Sequence, residues 1–229
     1  LRASAPLLDA AEARSWLERA ATAGYPAAIA ARREARLPLA DETPGARAAR
    51  ELRRAFLLRA AAGDDVAGLE RVAAGELLAE ADEFGRRPLA LAAAAGADGA
   101  VAWLLQHGAA VDAVDDFGMT ALMAAARRGD AAAVRALLAA GARHDLLDLA
   151  GRSALLHATW ANSADALGAL LGAGAGLDSV DARGWTALDV AIQRERGAVA
   201  PLLRARGATA RLGGVRQARS GSGIDPARP

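Results

Sequence analysis

A repeat of 33 residues runs through most of this chain and constrains its fold more than any other feature. Glycine, leucine, alanine and a second glycine each recur at this step, and an aspartate opens every unit. The aspartates are Asp82, Asp115, Asp148 and Asp181, and the glycines of the same turns are Gly85, Gly118, Gly151 and Gly184. Because several columns keep one period, we predict four consecutive units. Their boundaries are 82–114, 115–147, 148–180 and 181–211.

Each unit is predicted to form a turn, a helix, a short turn and a second helix. In the second unit, Gly118 is expected to take a positive φ in the first turn, and Thr120 is expected to cap the helix that follows. Gly129 and Asp130 separate the two helices, and Gly141 is expected to end the second helix as a C′ glycine. Neither helix can bury its apolar stripe alone, so the units must stack.

This pattern resembles the ankyrin repeat family. The family's glycine, Thr-Pro-Leu-His helix start, paired leucines and glycine-alanine appear in the second unit as Gly118-Met119-Thr120-Ala121-Leu122, Leu137-Leu138 and Gly141-Ala142. Two features depart from the family: Arg87 stands where threonine belongs, and other residues replace the histidine. The replacements are Ala90, Met123, Leu156 and Asp189. The resemblance implies an all-α solenoid of stacked helix-turn-helix units with short β-hairpin-like loops.

A degenerate unit is predicted to precede the four, at residues 49–81, as an N-terminal cap with Phe56 on the leucine column. Its two helices are expected at 51–62 and 65–74, the second capped by Asp64 or Asp65. With this unit, the ankyrin repeat domain is predicted to span 49–211.

The last unit, 181–211, is interpreted as the C-terminal cap. Arg204 falls on a leucine column there, with Leu202 and Leu203 interpreted as shifted by one residue, and a solvent-facing terminal repeat tolerates such a change. Residues 212–229 contain Gly-Gly, Ser-Gly-Ser-Gly and two prolines, a composition typical of a flexible tail or linker.

Residues 1–48 do not fit the period and are predicted to be a separate helical segment, with helices near 8–23 and 26–36. Residues 11–30 resemble a single Sel-one-like repeat. The residues that carry this resemblance are Ala13, Trp16, Ala20, Ala21, Gly24 and Ala28. The alternative is an alanine-rich helical hairpin packed on the first cap.

Composition excludes several classes of function. The chain has no cysteine and only three histidines, so we expect neither a metal site nor a cofactor. A net charge of +1 argues against a nucleic-acid binder, and no charge-free apolar run is long enough for a membrane span. All 28 basic residues are arginine, and 67 of the 229 residues are alanine, a bias that we interpret as a GC-rich, bacterial genome.

Two residue groups could suggest catalysis, and both have a better structural explanation. His144 lies close to two aspartates that recur at the period, so these are expected to be turn residues. Ser153 and His157 lie at i, i+4, but Ser153 stands in the N-cap column and His157 in a column with Leu91, which favours a core histidine. We therefore predict that the chain is not an enzyme.

Positions that vary between units are the candidates for recognition. In ankyrin proteins they lie around the turn glycine and just after the paired alanines, so the resemblance implies two sets of partner-binding residues here. The first set is Phe84, Arg86, Phe117, Met119, Arg152, Arg183 and Trp185. The second set is Arg127, Arg128, Trp160, Gln193 and Arg194. Arginine and aromatic residues are enriched at interface hot spots. The competing interpretation is that the aromatic rings only stabilise the stack.

The predicted function is that of a non-catalytic protein–protein interaction module. It would bind a protein with acidic and apolar surface groups through its concave groove and hairpin tips. The alternatives are a regulatory or immunity-type inhibitor of a cognate enzyme and an architectural repeat segment of a larger protein. A bacterial cytoplasm is the expected compartment. Because the first residue is Leu1 and not methionine, a periplasmic or secreted location stays open.

Overall fold

The structure is a computed structural model that describes residues 44–72 and 78–211. The predicted N-terminal helices at 8–23 and 26–36, the Sel-one-like run at 11–30 and the predicted tail at 212–229 lie outside these residues.

Ten helices form in the described part of the chain, in five successive pairs. The pairs are α1 (Pro44–Ala62) with α2 (Val66–Val72), α3 (Pro88–Ala95) with α4 (Asp98–Gln106), α5 (Ala121–Arg128) with α6 (Ala131–Ala139), α7 (Ala154–Ala161) with α8 (Ala164–Gly172), and α9 (Ala187–Gln193) with α10 (Ala200–Ala205). No strand forms within 44–72 or 78–211, because the segments between pairs are turns. The predicted all-α class is confirmed.

The helices stack pair upon pair. The first helices α1, α3, α5, α7 and α9 each contact the next in this order, and the second helices α2, α4, α6 and α8 form a parallel row of contacts behind them. The short α10 contacts α9. Because helices contact mainly their neighbours along the chain, the fold is a solenoid, as predicted.

Small side chains line the contacts between the first helices. Ala92, Ala125, Ala158 and Ala191 are almost completely buried at the same position of α3, α5, α7 and α9. A larger residue at any of these places would force the pairs apart or strain the rotamers around it. The high alanine content of the chain thus has a structural use.

The predicted helix boundaries are set by the expected local signals. Thr120 Oγ1 accepts a hydrogen bond from the backbone N–H of Met123 at 3.2 Å, which caps α5. Gly118, Gly129 and Gly141 all have positive φ, at 74°, 81° and 87°. These three turns of the second unit are confirmed.

The first pair differs from its prediction. Helix α1 begins at Pro44, so it is longer than the predicted 51–62, and α2 is described over Val66–Val72. Phe56, placed on the leucine column, is 42% exposed, whereas Leu57 is completely buried. This placement was wrong because α1 has no preceding glycine turn to fix its phase, and its apolar stripe is rotated by one residue.

Both aspartates proposed as caps at 64 and 65 are helix caps, but of different helices. Asp65 Oδ1 accepts from the N–H of Gly68 in α2 at 2.8 Å. Asp64 Oδ1 instead accepts from the N–H of Ala100 at 2.6 Å, near the start of α4 in the next pair. Asp64 therefore links the first pair to the second.

The last pair is also simpler than expected. Leu203 is completely buried, as are Leu137 and Leu170 at the equivalent positions of earlier units, so the predicted one-residue shift was wrong. Arg204 follows it on the exposed side of α10, where no further helix pair covers it within the described residues. The division of residues 49–211 into a cap, three full units and a second cap stays a prediction.

We expect Gly118→Ala to destabilise the stack more than Gly184→Ala does. Both glycines have a positive φ, so each alanine carries the left-handed backbone cost of about 1–2 kcal/mol. A Cβ at Gly118 would also meet the backbone N of Leu149 at 3.1 Å, whereas one at Gly184 would meet nothing within 4 Å. Urea unfolding should show a further loss of about 1 kcal/mol or more in the free energy of unfolding of Gly118→Ala. Equal losses would contradict the close approach of successive turns.

Candidate protein-binding surface

An aspartate organises the turn that precedes each first helix from α3 onward. Asp115 Oδ1 accepts hydrogen bonds from the N–H groups of Phe117 at 2.8 Å and Met119 at 2.9 Å. The N–H of Asp115 in turn donates to the carbonyl of Met119 at 3.0 Å. The same bonds, to the residues two and four positions on, recur at Asp82, Asp148 and Asp181. The four carboxylates therefore fix the backbone at the residues of the first predicted site set.

Hydrogen bonds between successive turns join them into a row, which we call the turn row. The N–H of Asp116 donates to the carbonyl of Phe84, that of Leu149 to Phe117, and that of Ala182 to Ala150. Each of these three distances is 2.9 Å. The turn row thus spaces the side chains of neighbouring repeats along one edge of the stack.

The first two turns present phenylalanine rings. Phe84 is 39% exposed and Phe117 is 56% exposed, and the two rings stack with centroids 6.5 Å apart. The guanidinium of Arg86 lies 5.1 Å from the ring centroid of Phe84 and also pairs with Asp82 at 2.7 Å. The rings therefore contact each other, as the competing interpretation supposes, and still keep exposed surface.

Met119 and Trp185 are less exposed than their columns suggested. Met119 is only 8% exposed, so the expectation of an exposed side chain was wrong, because this methionine joins the hydrophobic core. Trp185 is half-buried against the core, with the exposed Arg183 at 5.9 Å from its ring centroid.

The second predicted set gathers at the ends of the first helices. Trp160, in the last turn of α7, is half-buried against the core. Arg194 from the next repeat lies 4.0 Å from its ring centroid, and Arg152 lies 5.8 Å from it. Arg127 and Arg128 are exposed at the end of α5, and Gln193, half-buried, ends α9.

Two exposed leucines extend the apolar surface of the turns and were missed from the sequence. Leu147 and Leu149 flank Asp148 and both are exposed. A signal for Leu149 existed, because the equivalent positions hold Glu83, Asp116 and Ala182. A leucine among polar or small residues in an exposed column is the same kind of variation between units that marked the predicted site residues.

A buried ionic network in the third repeat was also missed. Asp148 Oδ2 accepts from Arg152 Nε and Nη2 at 2.8 Å each, and it lies 3.0 Å from His157 Nε2. Burial raises the pKa of Asp148, but the hydrogen bond from His157, the turn amide and the charge of Arg152 outweigh it, so the pKa lies below its ordinary value. The carboxylate is therefore ionised and accepts only, which makes His157 Nε2 the donor.

In the structure, the members of each residue group that could suggest catalysis bind different partners. Ser153 Oγ accepts from the N–H of Leu156 and caps α7, while His157 is buried and binds Asp148. Asp145 pairs with Arg143 instead of joining Asp148. Within the described residues, no cluster of three histidine, aspartate or glutamate side chains could hold a metal ion.

The exposed arginines leave positive charge available. In the part of the chain that the structure describes, no carboxylate lies within ion-pair distance of Arg127, Arg183 or Arg194. Arg86 and Arg152 are the two members of the predicted set that pair with turn aspartates. The surface therefore combines rings, exposed leucines and unpaired guanidinium groups.

These observations define an all-α repeat solenoid with side chains displayed from its turns and first-helix ends. Residues 57–148 match the family model described as ankyrin repeats in three copies, so this part of the chain consists of ankyrin repeats. Ankyrin repeats are in general protein–protein interaction modules and generally non-enzymatic. No curated protein matches the chain. Across the described ranges, none of the helices has the length and apolarity needed to cross a membrane.

We expect Asp148→Asn to lower the free energy of unfolding by about 2–3 kcal/mol, less than for a fully buried pair because Arg152 reaches water. Asp115→Asn is the matched control. Burial raises the pKa of Asp115, and asparagine keeps an acceptor for its two turn amides, so we expect a small change.

The effect of Asp148→Asn should depend on pH. A depressed pKa stabilises the fold above the unfolded value of about 3.9, and this contribution is lost as pH falls through the folded value. Denaturant unfolding of wild type and Asp148→Asn should therefore converge as the pH falls below about 4. A difference that stays unchanged as the pH falls below this value would contradict an ionised Asp148 in the native network.

Proposed function

We propose that this chain is a non-catalytic binding module for a protein partner with acidic and apolar surface groups. The observation that carries the proposal is a series of arginines that lie over aromatic rings along the turns and first-helix ends. They are Arg86 over Phe84, Arg152 and Arg194 over Trp160, and Arg183 over Trp185.

A guanidinium over a ring is prepared for binding a carboxylate. The ring contacts its flat face and limits its rotamers, while the N–H groups at its edge stay able to donate in a fixed plane. Bidentate pairing with a carboxylate uses this edge. Arg183 and Arg194, without a carboxylate partner among the described residues, supply the charge for it.

The apolar part of the surface lies at the earlier turns. Phe84, Phe117 and Leu149 each keep more than a third of their surface exposed on adjacent turns. The two rings cover part of each other and Arg86 covers part of Phe84, but both phenylalanines keep exposed surface. An exposed apolar cluster of this kind is typical of a protein contact site.

The backbone under these side chains is fixed before a partner arrives. The turn aspartates and the turn row hold the backbone in place at four of the predicted site residues, which are Phe84, Phe117, Arg183 and Trp185. Binding to such a surface costs little ordering entropy compared with binding to mobile loops. Since Ser153 and His157 have structural roles, we propose that the module supplies no reaction of its own.

The test is the affinity of a purified partner. Proteins captured by the tagged chain are identified, produced separately, and titrated against wild type and the double variant Trp160→Ala, Trp185→Ala. Removing two ring anchors should weaken binding by about 30-fold or more, since hot-spot truncations cost about 2 kcal/mol or more.

The matched control is Arg135→Gln, on the exposed side of α6 and away from the turns. It removes one exposed arginine and should leave the affinity within about twofold of wild type. A folded double variant that binds as tightly as wild type would contradict the proposed surface.

A further inference from the structure

Two arginines from different repeats lie beside one indole ring at the end of α7. The guanidinium carbon of Arg194 lies 4.0 Å from the ring centroid of Trp160, and that of Arg152 lies 5.8 Å from it. Arg194 follows α9 as its C-cap residue, and Arg152 belongs to the turn before α7. The stacking of the third repeat on the fourth therefore assembles this cluster, which we call the Trp160 site.

Asp148 holds Arg152 in the Trp160 site. The Nε and Nη2 groups of Arg152 donate to Asp148 Oδ2 at 2.8 Å each. A guanidinium carries further N–H donors on its other edge. Because Asp148 occupies one edge, the other can serve an incoming acceptor.

The charges of the site do not balance. Asp148 matches the charge of Arg152, whereas no described carboxylate lies within ion-pair distance of Arg194. One positive charge is left over beside a half-buried ring. A single carboxylate would neutralise it, and a phosphate group, at about −1.5 to −2, would exceed it.

We propose that the Trp160 site binds one aspartate or glutamate side chain of the partner, between Arg152 and Arg194 beside the indole ring, with Asp148 and His157 as positioning residues for Arg152. This inference rests on the proposed function and names the partner group that one part of the surface recognises.

The positioning role follows from a comparison of repeats. Asp82 and Arg86 form the same ion pair without a histidine, because Leu91 stands at the position of His157. There the carboxylate side chain is 15% exposed, compared with 1% for Asp148. His157 thus closes the pair off from water, and ion pairs and hydrogen bonds are stronger in such a low-dielectric environment.

The carboxylate contacts are expected to be charge-assisted hydrogen bonds from both guanidinium groups. Such bonds are stronger than neutral ones, and they distinguish glutamate from its isosteric amide. Recognition of an acidic side chain in preference to its amide counterpart is the result.

The experiment uses the full chain and two defined probes, a peptide that alternates glutamate with leucine and its glutamine counterpart. The chain, with ¹⁵N-labelled tryptophan, gives separate indole N–H signals, and Trp160→Phe identifies the signal of Trp160. We expect the glutamate peptide to shift that signal and to bind about tenfold or more tighter than the glutamine peptide.

Variants separate the site from the rest of the surface. Arg194→Gln should abolish the preference for glutamate, whereas Arg183→Gln, beside Trp185, should leave the shift of the Trp160 signal in place. His157→Leu should reduce the preference about threefold, and His157→Gln, which keeps a donor for Asp148, should retain it. Equal behaviour of the two His157 variants at matched folded fraction would overturn the positioning role.

Other results would overturn the carboxylate site itself. They are the absence of a Trp160 shift at millimolar peptide, equal binding of both peptides, or no effect of Arg194→Gln. Displacement of the glutamate peptide by inorganic phosphate or a single-stranded oligonucleotide at equal concentration would also overturn it. The proposed function would survive these results if the purified partner still needed Trp160 and Trp185, so the two failures are distinguishable.

Discussion

Each turn aspartate accepts hydrogen bonds from two backbone amides, and these bonds determine the path of the chain through the stack. A carboxylate such as that of Asp115 closes the turn, and the turn directs the chain into the next first helix. With the turns closed, an amide of one turn reaches a carbonyl of the one before, as between Leu149 and Phe117. Helix packing then follows, because alanines such as Ala125 allow the first helices to approach closely.

The same interaction prepares the surface for binding. The residues whose amides bind the aspartate also carry the displayed side chains, so one set of bonds specifies both the fold and the positions of Phe117 or Trp185. Variation at these positions leaves the backbone bonds intact, since an amide is present whatever the side chain. This separation lets each repeat present a different group, and the third repeat adds Asp148 and His157 to hold its arginine.

Much of the fold could be predicted from sequence because its determinants are local. Thr120 caps a helix and Gly118 takes a positive φ through interactions within a few residues. The predictions failed where contacts between residues far apart in the sequence determine which side chain is buried. Nothing local shows that α1 turns Leu57 and not Phe56 toward the core, or that Met119 is buried while the equivalent Trp185 is half-buried. The repeat pattern placed arginine and aromatic residues at the site, but it is the stacking of the fourth repeat on the third that brings Arg194 over Trp160.

We infer that the turn row is a rigid, continuous element that fixes the displayed side chains. Native-state hydrogen exchange of the Asp116, Leu149 and Ala182 amides tests this inference, because each amide donates one inter-turn bond. We expect all three amides to be protected and to exchange only through openings as costly as those of the amides within α5 and α7. Exchange of these amides at rates typical of exposed loops, with the helices still protected, would contradict it.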